Sequence, residues 1–270
     1  MRRCLRPWLL GCALALGAPV TAAAGGEDVA LVVGGDRSYP PYEFLDADGR
    51  PAGYNVELTR AIARVMGLKV EIRLGRWADM RRALEAGEID ALEGISYSEE
   101  RAQQVEFTPP HTIVHHAIFA RRGSTPASSF ADLRGKEVLV LRGGIMHDTL
   151  VRAHPEIHPV PVDTHADVLL ELAAGRHDFA LMAKLPGAYL IRELRLANLT
   201  PQGNPVSAER YGFAVARGNA ALAARLSEGL AILKNTGEYQ TIYDAWLGVL
   251  EPRGISWGQV FRYGAAAFAP

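Results

Sequence analysis

The chain has 270 residues, 49% hydrophobic and 22% charged, with 29 Lys and Arg against 30 Asp and Glu. That balance suits a folded globular protein of one large domain or two lobes, and it excludes a disordered chain and a basic nucleic-acid binder. Both cysteines, Cys4 and Cys12, lie near the N-terminus, so the remainder offers no disulfide, thiolate metal site or cysteine nucleophile.

Arg2, Arg3 and Arg6 precede an apolar run from Trp8 to Leu16, and Ala22-Ala23-Ala24 offers a small-residue cleavage site. This is the pattern of a signal peptide over residues 1–24, its apolar run too short to span a bilayer. Leu9-Leu10-Gly11-Cys12 only faintly matches a lipoprotein box and is read as coincidence. The expectation is export to the periplasm, with a mature chain from about Gly25 carrying 26 basic and 30 acidic residues, four negative charges net.

Val29–Gly34 reads as a buried strand that stops at Gly34-Gly35. Tyr39-Pro40-Pro41-Tyr42 follows as an aromatic loop and Asp46–Gly49 as a turn. Asn55–Met66 is helical, with Val56, Leu58, Ile62 and Val65 on one face and Gly67 as its stop. Lys69–Leu74 reads as a strand, Trp77–Ala86 as a helix ended by Gly87, and Ile89–Leu92 as a third strand. Gly94 then reads as a turn. Ser98 before Glu99, Glu100 and Arg101 reads as an N-cap with acids in the first helical turn, whose free N–H groups suit a small anion. Arg101 adds a planar, bidentate grip for a carboxylate. The plainer alternative is a surface cap in which Arg101 pairs with Glu99 or Glu106.

A second cycle follows Arg121-Arg122-Gly123. Strands are expected at Glu137–Leu141, Val160–Val162 and Asp178–Met182, and helices at His147–Ala153, Asp163–Ala174 and Pro186–Leu194. Tyr211–Ala216 returns to strand, and Asn219–Leu233 and Thr236–Leu247 close the chain as helices. Strand–helix alternation in two cycles argues for parallel α/β sheets in two lobes. Ligands in such folds sit beyond the carboxyl ends of strands, here marked by Gly34-Gly35, Gly94 and Gly143-Gly144.

Four segments in order, Asp36–Phe44 (DRSYPPYEF), Gly53–Leu58 (GYNVEL), Gly94–Arg101 (GISYSEER) and Thr236–Gly248 (TGEYQTIYDAWLG), resemble the bacterial solute-binding protein family 3. The resemblance runs from about Val29 to Gly248. It implies a two-lobed α/β periplasmic binding protein of type II, a Venus-flytrap with two hinge strands that closes on its ligand. The crossings are expected near Phe119–Arg122 and Glu209–Phe213. Lobe 1 then comprises residues 25–120 and 212–250, lobe 2 residues 121–211, and residues 251–270 a C-terminal extension. By position, the resemblance puts Asp36 and Tyr39 in the first-lobe loop, Tyr39 covering the ligand and Trp77 packing on its apolar part. Gly94, Ile95 and Ser96 supply backbone and hydroxyl contacts, and Arg101 pairs with the ligand carboxylate. On pattern alone, Trp77 serves equally as a helix-packing tryptophan, and Tyr39 as a loop aromatic shielding the core.

The second lobe departs from the family pattern. Gly143 is followed by Gly144, Ile145 and Met146, where relatives carry hydroxyl residues, so Gly143, Gly144 and Ile145 are expected to meet the ligand through backbone N–H groups alone. Ala183 stands where amino-acid receptors place an Asp for the α-ammonium, and a buried ammonium without an anion is costly. Glu93, ending a buried strand, offers an acceptor for an amine or a partner for Arg101. Lys184 reads as a rim charge. His111 and His115 have a metal-ligand spacing only if helical, whereas the stretch after Pro109-Pro110 reads as extended, so no metal or other cofactor is expected.

The resemblance therefore implies an extracytoplasmic, non-enzymatic trap for a small carboxylate-bearing, amino-acid-like ligand, serving an ABC-type importer through a membrane permease. The alternative is the periplasmic sensory module of a histidine kinase or cyclase, which Ala183 and the extension past Gly248 favour. A third is a cyclohexadienyl-dehydratase-like enzyme with Glu93 as its buried acid, although no partner acid–base pair is evident. A fourth is a lobe pair that binds no ligand and acts as an interaction platform.

Overall fold

The structure, a computed structural model, describes residues 30–248. The expected signal peptide, both cysteines and the C-terminal extension lie outside the described residues.

The chain opens with β1 (Leu31–Asp36), followed by three short strands, β2 (Ser38–Tyr39), β3 (Glu43–Leu45) and β4 (Pro51–Ala52), which form a small antiparallel sheet. Then come α1 (Tyr54–Met66), β5 (Val70–Gly75), α2 (Trp77–Glu85) and β6 (Ala91–Ser96). β1 pairs in parallel with both β5 and β6. The apolar side of α1, including Leu58 and Ile62, packs into one core cluster with Phe213, Leu230, Leu233 and Tyr243. Each such fully buried side chain contributes about 1.5–3 kcal/mol.

A single turn, α3 (Arg101–Gln104), leads through β7 (Val105–Phe107) into the long β8 (Thr112–Arg121). The second half contains β9 (Glu137–Leu141), α4 (Ile145–Ala153), β10 (His158–Val162), α5 (His165–Ala173), β11 (Phe179–Ala183) and α6 (Lys184–Glu193). β9 is parallel to β10 and β11. Its Val138, Leu139 and Val140 are fully buried, as a strand covered on both faces requires. The chain returns along β12 (Leu199–Ala216) and ends in α7 (Ala220–Thr236), α8 (Glu238–Tyr243) and a wide turn at Asp244–Gly248.

β8 and β12 run antiparallel from Thr112 opposite Tyr211 to Arg121 opposite Leu199. β12 also pairs with β6, and β8 with β11. One large sheet in the order β10-β9-β11-β8-β12-β6-β1-β5 therefore passes through both lobes. Its orientation is mixed, where the strand–helix alternation alone suggested parallel pairing, because these two long strands join the halves antiparallel.

Two local expectations need correction. Gly94 is not in a turn, because β6 continues through it to Ser96. A Cβ at Gly94 would run into Tyr211 Oη and Asn55 Nδ2, so close approach accounts for the glycine. The helix expected after Ser98 is only the single turn Arg101–Gln104, with Glu100 at its cap position. Ser98 Oγ still accepts from the Arg101 N–H at 3.2 Å, but so short a helix makes no anion cradle.

Candidate ligand-binding cleft

A small cavity, about 60 Å³ of space for water-sized molecules, lies between the halves. From the first half it is lined by Asp36 at the end of β1, Tyr39 on β2, Glu43 on β3, Trp77 at the start of α2, Ser96 at the end of β6, and Arg101. From the second it is lined by Leu141, Gly144, Ile145, Met146 and His147 at the β9–α4 junction, by His165 on α5, and by Leu181, Met182 and Ala183 on β11. His116 on β8 and Tyr211 on β12 complete it. These are carboxyl ends of strands, where helix starts and loops leave side chains free to face a crevice.

Eight residues singled out from the sequence thus meet here: Asp36, Tyr39, Trp77, Ser96, Arg101, Gly144, Ile145 and Ala183. Four do not line the cavity. Glu93, Gly94 and Ile95 are buried within β6, and Gly143 contributes its carbonyl to contacts between the halves. Lys184 is exposed.

Those contacts centre on the β9–α4 turn. Gly143, at φ 67°, adopts a left-handed conformation that favours glycine. Its carbonyl oxygen accepts from Trp77 Nε1 at 2.8 Å, Arg81 Nη1 at 2.8 Å and Arg101 Nη2 at 3.2 Å. Asp148, further along α4, accepts through Oδ2 from Arg101 Nη2 at 2.7 Å, Arg101 Nε at 3.2 Å and Arg81 Nη1 at 3.2 Å. Arg101 also donates through Nη1 to Ser96 O at 3.1 Å. Burial, then the neighbouring Arg81, lowers the Arg101 pKa to about 10, so the guanidinium stays charged at neutral pH. On the opposite wall Tyr39 stacks on His165 at 4.6 Å between ring centres, and His165 Nε2 lies 3.8 Å from Asp36 Oδ2.

The first-half wall is rich in buried carboxyls. Asp36 Oδ1 accepts from the Ser38 N–H at 2.8 Å, while Oδ2 has no hydrogen-bond partner. Glu43 accepts from Asn55 Nδ2 at 2.5 Å and from Tyr211 Oη at 3.3 Å. Behind it Glu93, fully buried, accepts from Thr59 Oγ1 at 3.2 Å. Burial raises Asp36 to about 7 and Glu93 to about 8. Burial, then the Glu93 charge, pushes Glu43 well above the usual carboxylate range. Loss of hydration also lowers His116 and His165 to about 3, leaving them neutral. The cleft is therefore an aromatic and acid-bearing space with one arginine already engaged.

Among the described residues no cluster of three or more His, Cys, Asp and Glu forms a metal site. His111 packs against Tyr54 and Phe213 instead. Sequence reasoning missed Glu43, His116, Asp148, His165 and Tyr211. Glu43 lies within the quoted DRSYPPYEF segment, but nothing local distinguishes an inward glutamate on a short strand from a solvated one.

The model of the bacterial extracellular solute-binding proteins, family 3, matches residues 31–249. This chain belongs to that family. Among curated family relatives, the L-cystine-binding protein TcyJ of Escherichia coli (strain K12) is 27% identical over 223 residues, 81% of this chain and 82% of that one. The putative ABC transporter arginine-binding protein 2 of the same organism is 28% identical, covering 78% and 88%. Among solved structures, a histidine kinase sensor domain with similarity to periplasmic binding proteins is 59% identical, covers 83% of this chain and 98% of that one, and superposes with a TM-score of 0.79. An ancestral arginine-binding protein bound to arginine is 30% identical, covers 81% and 98%, and gives 0.75. The architecture is accordingly the two-lobed family fold. Its relatives are extracytoplasmic binding proteins, and among the described residues no helix is long and apolar enough to cross a membrane.

Proposed function

We propose that this chain is the extracytoplasmic sensing module of a membrane histidine kinase, trapping a small amino-acid-like solute between its lobes. The observation that carries this is the 59% identity with a kinase sensor domain across nearly all of that domain, twice the level shared with the named transport receptors. The ligand sits among the eight cleft-lining residues, with Tyr39 and Trp77 on its apolar part and Arg101 held on the wall by Asp148. Glu93, Gly94, Ile95 and Gly143 support them from behind. Export through residues 1–24 places the module outside the cytoplasm.

We keep the lobe division drawn from the sequence as part of the proposal, except that we draw the first crossing nearer Thr112–His116, because residues 116–120 already pair with β11. Non-enzymatic action is part of the same proposal. Glu93, the acid singled out from the sequence, is fully buried and does not line the cleft, so it is placed to tune the wall rather than to meet a substrate.

A second reading, the receptor of an ABC importer, is favoured by the transport relatives. The test is a chimera in which residues 25–270 replace the sensor domain of such a kinase, assayed in membrane vesicles with ligands found by thermal-shift screening. A ligand-dependent change in autophosphorylation is expected. Ligand binding that leaves every chimera's phosphorylation unchanged overturns the sensing role, and stimulation of a permease ATPase then assigns the chain to uptake.

A further inference from the structure

The Nε–Nη2 edge of a guanidinium is the one that grips a carboxylate with two parallel hydrogen bonds. In Arg101 that edge meets Asp148 Oδ2, at 3.2 Å from Nε and 2.7 Å from Nη2. Nη1 donates to Ser96 O, and Nη2 also donates to Gly143 O. Every guanidinium nitrogen of Arg101 thus has a partner within the protein. Arg81, the other arginine at this corner, is likewise paired with Asp148 and with the Gly143 carbonyl.

A ligand carboxylate approaching Arg101 would meet the Asp148 carboxylate in the same place, and like charges so close disfavour each other's ionised form. The other half of an amino-acid head group is no better served. Ala183 lines the cleft from the end of β11, and an alkyl side chain offers an ammonium nothing. The opposite end differs. Asp36 is 3% exposed, and its Oδ2 has no hydrogen-bond partner, although it lines the cavity beside Tyr39 and Glu43. An amine there gains an aromatic face and a carboxyl partner whose ionised form the ammonium itself favours.

We propose that Asp148 is a specificity residue, occupying from within the place of a ligand carboxylate so that the cleft takes small amines lacking a carboxylate and rejects the parent amino acids. The inference rests on the trap reading above and narrows its ligand class.

Calorimetry with two matched pairs, agmatine against arginine and histamine against histidine, tests it on the wild type, on Asp148→Ala and on the near-isosteric Asp148→Asn. In the wild type, a decarboxylated member should bind at least about tenfold more tightly than its parent, the scale of one charge-assisted hydrogen bond. Asp148→Ala should gain about tenfold or more for the parent amino acid, because Arg101 is then free to grip it. Loss of that gain in Asp148→Ala combined with Arg101→Ala would tie it to the freed guanidinium. A wild type that prefers the amino acid, with the same preference in both Asp148 variants, overturns the proposal. If Asp148→Ala does not fold, Asp148→Asn carries the comparison. A wild type that binds none of the four counts against the trap reading for these ligands, while a gain of arginine binding in Asp148→Ala still establishes the role of Asp148.

Discussion

Asp36 and Glu93 hold their protons to about pH 7 and 8 because burial withholds the water their charge needs. Their folded pKa values lie above the unfolded ones, so their contribution to stability is complete below about pH 4 and is lost as pH rises through about 7 and 8. His111, His116 and His165, lowered to about 3 from 6.5, act oppositely. The unfolded chain binds more protons there, so stability grows as pH rises from about 3 to 6.5. The two slopes oppose each other in mildly acid solution, and above about pH 6.5 the carboxyls act alone. The ligand-free melting temperature should therefore fall between about pH 6.5 and 8. Asp36→Asn should flatten part of that fall, and an unchanged profile would remove Asp36 as its source. Arg101→Ala should cost about 2–3 kcal/mol in urea denaturation without any ligand. That is less than the full loss of a buried pair, because Asp148 keeps Arg81.

At the scale of the element, β6 is the informative strand. Its six residues are all buried, and the lack of a side chain at Gly94 leaves room for Tyr211 and Asn55, both bonded to Glu43. Gly94→Ala should destabilise by roughly 1–3 kcal/mol, the usual cost of overpacking, as read from the denaturation midpoint. Periodicity made α1, β5, α2 and β9 legible in the sequence, since one apolar face or a run of β-branched residues marks each. The first half of β12 was not legible, because Thr200-Pro-Gln-Gly-Asn-Pro205 carries turn residues: only Thr200–Gln202 of that stretch pair with β8, and the register shifts before pairing resumes at Ser207. The cleft shows the same division. Arg101 was found through an ordered motif and Trp77 by its position between two of them, whereas His165 lines the cavity and Asp148 reaches Arg101 because helices α5 and α4 start at strand ends, a tertiary fact that no local pattern encodes.

For the whole molecule, the contacts between lobes differ widely in worth. Arg152–Glu100 at 2.6 Å and Arg76–Asp163 at 3.4 Å are solvated pairs at the rim, a class that contributes about 0–1 kcal/mol and is screened by salt. The buried contacts at the β9–α4 turn are screened far less. Glu100→Gln should therefore leave the distance between spin labels on the two lobes nearly unchanged. Trp77→Phe removes a single N–H donor to Gly143 O, worth about 1 kcal/mol, and should broaden that distance distribution. The reverse order of effects would place the closing force at the rim.

The Gly143 carbonyl gathers indole, Arg81 and Arg101 donors onto one oxygen. No side-chain exchange at position 143 deletes that acceptor, since it belongs to the main chain. A rotation of this one peptide plane would withdraw the acceptor from all three donors together and leave Arg81 and Arg101 held by Asp148 alone. Three contacts across the cleft thus depend on the orientation of a single peptide unit.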